Sequence, residues 1–209
     1  MFINVAQFNF IKQQAKKITQ AKNTTNDGAV LKAVQEVVIA DLAQKITMTE
    51  EELTLLLPII DLKNQQEAEQ FVNTLASYVK PFPVLTKATI KTLFKKEKKL
   101  AYPPLEQVDW QSCCFIAWDD VSTNRRYIVY EHGDLRGLRG VISKNHVKGV
   151  CSVCHQHGTV TQFTLAKKGN QVDQFTSRTN YICVDSDTCN EQISDLEHML
   201  QFFAYIAQT

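Results

Sequence analysis

Four of the six cysteines follow a spacing that metal ligation explains better than any other use of a thiol. Two residues separate Cys151 from Cys154, twenty-eight lie between Cys154 and Cys183, and five between Cys183 and Cys189. Thiolates are soft donors, and zinc takes four of them tetrahedrally at about 2.3 Å. The segment Val150-Cys-Ser-Val-Cys-His155 reads as a knuckle whose single turn aims two sulfurs at one point. Cys183 ends an expected strand. Cys189 is expected at the mouth of the closing helix, where a helix N-terminus lowers a thiol's pKa.

The middle gap exceeds the roughly 15–20 residues of common zinc ribbons, and His155 and His157 stand close enough to replace one cysteine. Hairpin strands between the two pairs would bring them together, as in treble-clef zinc modules. Four protein ligands leave no position for water, so one structural zinc is expected and zinc hydrolase chemistry is not. Cys113 and Cys114, in an apolar run, read as small core residues.

Charge and hydropathy narrow the setting. Twenty-three basic residues face twenty-two acidic ones, so the molecule as a whole has no pull on polyanions. Polar Asn4, Gln7 and Asn9 interrupt the apolar N-terminus, and no run approaches the roughly 18 apolar residues of a membrane helix. A cytoplasmic location is expected, where thiols stay reduced and favour metal or burial over disulfides.

Helical spacing dominates the first eighty residues. Phe8, Ile11, Ala15 and Ile18 form one stripe, and Leu31, Val34, Val38, Leu42 and Ile46 a second after an Asp27 N-cap. Thr49 with Glu52, and Asn64 with Glu67, have capping-box spacing ahead of two further helices, the first shortened or kinked at Pro58. Short connections suggest an up-and-down bundle. Pro81-Phe-Pro83 breaks the pattern. A lysine-rich helix is then expected from Thr86 to the Tyr102-Pro-Pro104 stop.

Strands follow, at Cys113–Trp118, Arg126–Tyr130, Leu138–Ile142, Thr159–Ala166, Asp173–Ser177 and Asn180–Val184, with Glu131–Asp134 as a turn. A final helix is expected from about Asn190. The expected fold class is therefore α+β: a four-helix bundle over residues 1–82, then an α/β domain over 83–209 containing a treble-clef-like four-cysteine zinc finger.

Several stretches carry a resemblance. Val147-Lys-Gly-Val-Cys-Ser-Val-Cys154, Tyr181-Ile-Cys-Val-Asp-Ser-Asp-Thr-Cys-Asn190, Tyr78-Val-Lys-Pro-Phe82, Phe94-Lys-Lys-Glu-Lys-Lys99, Ser122–Tyr130 and Leu135-Arg-Gly-Leu-Arg-Gly140 are similar to the FusB/FusC fusidic acid resistance proteins, also called elongation factor G-binding proteins. The resemblance implies a monomer that binds elongation factor G at its C-terminal domains, on or off the ribosome. It implies release of that factor from ribosomes on which fusidic acid has trapped it: target protection, with no catalysis. It also implies partner-binding roles for Val150, Arg178, Tyr181 and Phe202. Valine at 150 and arginine at 178 stand where family sequences carry phenylalanine and lysine.

Independently of the resemblance, Ile193, Leu196, Leu200, Phe203 and Ala207 make a stripe that places Phe202 about 130° off-core, with Tyr205 on the same side. From Asp173 to Glu197 there are six acidic residues and only Arg178 as a base. That surface should repel phosphate backbones. Lys87–Lys99 is the exception and supports a second reading, an rRNA contact. Asp119, Asp120, His132 and Asp134 are the polar groups an enzyme might use, but they lack motif spacing and read as solvated loop residues.

Overall fold

In the first unit, each helix begins where a side chain can satisfy the orphan N–H groups of its first turn. The computed structural model describes residues 1–168 and 175–208 and divides into two units, Met1–Lys80 and Pro81–Thr209. In the first lie α1 (Val5–Thr24), α2 (Gly28–Lys45), α3 (Glu50–Leu56) and α4 (Gln65–Leu75). Asn4 and Gln7 form a capping box for α1, and Thr49 and Glu52 form one for α3, while Asp27 accepts from Ala29 and Val30 ahead of α2.

Before α4, Asn64 accepts from the Glu67 N–H, but the Glu67 carboxylate reaches one residue further back, to the Lys63 N–H at 2.9 Å. Pro58 converts the end of α3 into a 3₁₀ turn over Leu57–Asp61. The core gathers Phe10, Ile11, Ala15, Ile18, Val38, Leu42, Leu56, Phe71 and Leu75. Residues 2 and 3 pair with Tyr78–Lys80, which ties the chain start to the unit's end.

The second unit opens with α5 (Lys87–Leu93), capped by Thr86. The helix stops at Leu93, short of the expected end near Tyr102. Phe94 turns inward there, and Glu97 is drawn onto the sheet by Arg125 (3.2 Å), Arg139 and the Tyr127 hydroxyl (3.3 Å). Lys95, Lys96, Lys98 and Lys99 are exposed on a turn.

Five antiparallel strands follow in sequence order: β1 (Phe115–Asp120), β2 (Arg125–His132), β3 (Asp134–Val150), β4 (His157–Lys168) and β5 (Phe175–Cys183). The two strands expected on either side of residue 178 are one strand, β5; the Asp173 start lies outside the described residues. The β2–β3 turn narrows to Gly133, whose φ of 73° suits glycine.

Two helices close the unit, α6 (Ser186–Gln192) and α7 (Leu196–Ala207), where one was expected. Ile193 is buried between them, and Asp195 starts α7 by accepting from the His198 N–H at 3.0 Å.

Both faces of the sheet are covered, which is why Tyr127, Ile128, Val129 and Tyr130 are buried in succession with no polar alternation. On one face Phe94 meets Trp118 and Tyr127 edge-on, with ring centres 5.8 and 5.1 Å apart. On the other, Phe203 of α7 packs on Phe115 and Tyr130 at 5.7 and 4.9 Å. The motif Leu135-Arg-Gly-Leu-Arg-Gly140 gains its meaning here. Its two glycines, three apart in β3, face opposite sides of the sheet: Gly137 lies under the Phe94 ring and Gly140 under the Phe163 ring.

A Cβ at Gly140 would stand 2.3 Å from Phe163, and one at Gly137 2.8 Å from Phe94. Gly140→Ala and Gly137→Ala are each expected to destabilise the protein by about 1–3 kcal/mol through overpacking. Urea unfolding of the two variants measures this, with Gly140→Ala the worse because Thr164 backbone blocks the other direction.

Candidate metal centre and the surface beside it

Two strands that finish at the same end of the sheet, β3 and β5, deliver three of the cysteines. After β3 the chain turns through Cys151–Cys154, held by hydrogen bonds from the His155 N–H to the Cys151 carbonyl (2.9 Å) and from the Cys151 N–H to the Gln156 carbonyl (3.0 Å). His155 sits in the left-handed region at φ 58°, which lets the knuckle reverse into β4. The ladder pairs Cys183, the last residue of β5, with Val160 of β4, and α6 then supplies Cys189. Cys189 therefore lies in a short helix of its own and not at the mouth of the final one.

The four Sγ atoms lie within 4.8 Å of one another and are buried. Cys151 and Cys189 sulfurs are 3.8 Å apart, and Cys154 and Cys183 sulfurs 3.7 Å. A tetrahedron of ligands at 2.3 Å has edges of about 3.8 Å, so the cluster has the dimensions of a zinc site. An all-sulfur donor set suits zinc or iron–sulfur chemistry and not magnesium or calcium. Backbone N–H groups of Val153 (3.3 Å) and Cys183 (3.2 Å) point at Cys151 Sγ, as they would to a thiolate.

Without a cation the thiols are in conflict. Hydrogen bonding, from Cys154 first, draws Cys151 well below the usual thiol range, whereas the Cys151 neighbour pushes Cys183 and Cys189 well above it. A divalent ion resolves that conflict. His155 and His157 stay outside the cluster: the His155 ring lies 3.5 Å from that of His198, and His157 pairs with Val150 in the sheet.

Two buried side chains fix the ligand-bearing segments. Arg126 holds Asp119 with Nε (2.7 Å) and Nη2 (2.8 Å), and also donates to the Cys183 and Val184 carbonyls at 2.7 and 2.6 Å. Asn190, next to Cys189, accepts from Cys114 and Phe115 N–H groups at 2.7 and 3.1 Å and donates to the Phe115 carbonyl at 2.9 Å. Sequence reasoning missed both. Nothing in the Cys-Asn step at 189–190 marks a side chain that reaches seventy-five residues back.

Two of the four candidate acid–base residues have structural duties: Asp119 binds Arg126, and Asp120 accepts from Ser122 and Thr123, whose bonds hold its carboxyl below the ordinary range; His132 and Asp134 flank the Gly133 turn. Cys114 is buried as expected. Cys113 lies outside β1 and half-exposed, with Sγ 3.1 Å from the Asp109 carbonyl.

Of the four partner-binding expectations, three are at the surface. Val150 is 57% exposed and Tyr181 40%; Arg178 is half-buried, stacked 4.4 Å over the Tyr205 ring while donating to the Tyr205 carbonyl. Phe202 differs: it is 8% exposed and packs beside Phe203. The buried face of α7 is Met199, Phe202, Phe203 and Ile206, turned by about 90° from the stripe expected at 100° per residue. Apolar residues surround most of this helix, so periodicity alone does not set its phase; the pull of Phe203 into Phe115 and Tyr130 does. Tyr205, 52% exposed, is the aromatic left outside. The Ser152 N–H bonds the Tyr181 carbonyl at 2.8 Å, and His198 Nε2 lies 3.0 Å from the Ser152 carbonyl, so the knuckle joins β5 to α7.

Arg126→Met removes the bonds that hold the Cys183 carbonyl and leaves Asp119 without its bidentate partner. Protein loaded with zinc is expected to lose the metal to a chromogenic chelator about 10–100-fold more readily than wild type. Unchanged release would show that the guanidinium does not support the ligand set.

A family model described as the N-terminal part of elongation factor G-binding protein matches residues 2–83, and one described as the FBP C-terminal treble-clef zinc-finger matches residues 87–201. A solved structure, that of the fusidic acid resistance protein FusC, aligns with a TM-score of 0.86 at 27% identity, covering 98% of this chain and 97% of that one. A search of curated proteins found no match. Sulfur geometry, two domain matches and near-complete structural overlap agree: the chain belongs to the FusB/FusC family of elongation factor G-binding proteins.

Proposed function

We propose that this protein binds elongation factor G at the factor's C-terminal domains, on or off the ribosome, and promotes its release from ribosomes stalled by fusidic acid. It acts by target protection as a cytoplasmic monomer, without catalysis. One zinc ion, held by Cys151, Cys154, Cys183 and Cys189, serves structure alone.

The observation that carries this reading is the surface the knuckle organises. Tyr181 and Tyr205 are exposed aromatics of the kind that anchor protein interfaces, and Arg178 stacks on one of them. Val150 stands at the knuckle's entry. Phe202 contributes from beneath, seating α7 so that Tyr205 and Arg178 stay together. Four thiolates around zinc leave a net charge of about −2 beside this strip, which suits a cationic protein face better than RNA.

Calorimetry with purified elongation factor G is expected to detect a complex at micromolar concentrations, and its absence there would end the proposal. Tyr181→Ala and Tyr205→Ala should each weaken binding by about 2 kcal/mol, roughly 30-fold, with unfolding unchanged. Phe202→Ala should instead lower stability by about 3 kcal/mol as a buried aromatic. In a pelleting assay, added protein should reduce the factor retained on drug-stalled ribosomes. Metal analysis should find one zinc per chain, lost with the folded knuckle in Cys189→Ser.

A second reading, an rRNA contact through Lys87–Lys99, is favoured by one feature. Its six lysines are exposed, and the one acid among them, Glu97, is neutralised by Arg125 and Arg139. It requires rRNA binding without the factor present and a steep fall in that binding with salt.

A further inference from the structure

β1 is an edge strand, and the hydrogen bonds of Asn190 reveal which way its backbone points. The Asn190 amide engages the Phe115 N–H and carbonyl together, as a neighbouring strand would. Phe115 therefore directs its peptide groups away from β2. By the alternation of antiparallel pairing, so do Ala117 and Asp119, while Ile116, Trp118 and Asp120 face β2. Among the described residues none pairs with the outward groups of Ala117. Trp118 Nε1 holds the Ala101 carbonyl at 2.8 Å, which keeps the preceding loop beside this edge without pairing to it.

The open edge is the floor of a groove of about 400 Å³. One wall is Pro103, Pro104 and Val108, an apolar loop packed on the Trp118 face of the sheet; the other is α6, with Asp187 and Glu191 exposed. Carboxylates reach the space between them as well: burial first, then Asp109 and Asp187, push the Cys113 thiol up to about 12. An unpaired edge invites another strand, and natural proteins usually blunt such edges with lysine or proline in the strand. Neither residue occurs in Phe115–Asp120, and its two charges are already engaged, Asp119 by Arg126 and Asp120 by Ser122 and Thr123.

We propose that this groove is a second docking site, in which an extended segment of a protein partner joins β1 as an added strand with alternating basic and apolar side chains. Period-2 alternation sends successive side chains to opposite walls. Lysine or arginine meets Asp187 and Glu191, and valine- or leucine-sized groups meet Pro103, Pro104 and Val108. Main-chain bonds to Ala117 and Asp119 supply the register, and the Asn190 amide ends it at Phe115. The site shares no residue with the Tyr181 and Tyr205 strip, so its failure leaves the elongation factor G reading intact.

The test is amide NMR of the zinc-loaded full chain titrated with a blocked hexapeptide of alternating lysine and valine, against its glutamate–valine counterpart. The expected result is saturable shifts at the Ala117 and Asp119 amides with the lysine peptide alone. Asp187→Asn/Glu191→Lys should weaken that binding by about tenfold or more. Ala117→Pro, which removes only an outward N–H, should abolish it with the sheet retained; the charge variant decides the matter if the proline variant does not fold. Equal response to both peptides, no shift at Ala117 at millimolar peptide, or an unchanged affinity in the charge variant overturns the proposal. So does a concentration-dependent shift at Ala117 without peptide together with a doubled mass, which would assign the edge to a second copy of this chain.

Discussion

Four sulfurs meeting in one buried point is the constraint on which the second unit depends. Thiols packed at 3.7–3.8 Å cannot all ionise beside one another, and a neutral cluster forfeits the donors that a dication wants. A dication would reconcile them, and the sulfur cluster itself draws together three separate elements: the turn after β3, the end of β5 and α6. Arg126 and Asn190 carry that constraint outward. The first joins the Cys183 carbonyl to the β1–β2 hairpin, and the second joins the helix of Cys189 to the start of β1. The knuckle's own backbone holds the Tyr181 carbonyl, so the sulfur cluster and Tyr181 are joined through the end of β5.

The sheet meets a different requirement, that of being covered on two sides by short elements. α5 is only seven residues long, and one short helix cannot hold a strand face by itself. Phe94 supplies what it lacks, reaching from the helix end onto Trp118, Tyr127 and the bare backbone at Gly137. Glu97 then fastens the lysine-rich turn through two arginines on neighbouring strands. The turn is thus presented as a fixed basic surface, whatever it meets. Opposite, Phe203 takes the centre of the other face, and that choice decides where every residue of α7 points.

What the sequence disclosed and what it withheld divide along this line. The clustering of the four cysteines and the helix starts at Asp27, Thr49, Asn64 and Thr86 were legible because each cysteine pair and each cap is a short-range pattern. The end of the lysine-rich helix was not, since Phe94 and Glu97 leave it for partners on strands thirty or forty residues away. The break before α7 had a local signal, Asp195 ahead of an apolar run, but that run's spacing fitted a single helix equally well. The phase of α7 had none: Phe202 and Tyr205 are both apolar-faced candidates for the same side, and only the aromatic pocket of Phe115 and Tyr130 separates them. A similar blindness covers Arg126, which reads as one basic residue of a strand and is in fact buried.

Near-zero net charge hides a separation of charge within this unit. Lys87 through Lys99 hold six exposed lysines, whereas Asp185 through Glu197 hold five acids and no base, beside a thiolate-rich metal centre. The two populations line different grooves: Lys95 and Lys96 stand with Arg139, and Asp187 and Glu191 with the edge of β1. Charge separated in this way turns an approaching charged partner more than it draws one from afar. Arg178 of β5, ahead of that acidic stretch, is held on Tyr205 by its stacking and its bond to the Tyr205 carbonyl. Its charge is therefore fixed beside the Tyr205 ring and not free to swing toward the carboxylates that follow.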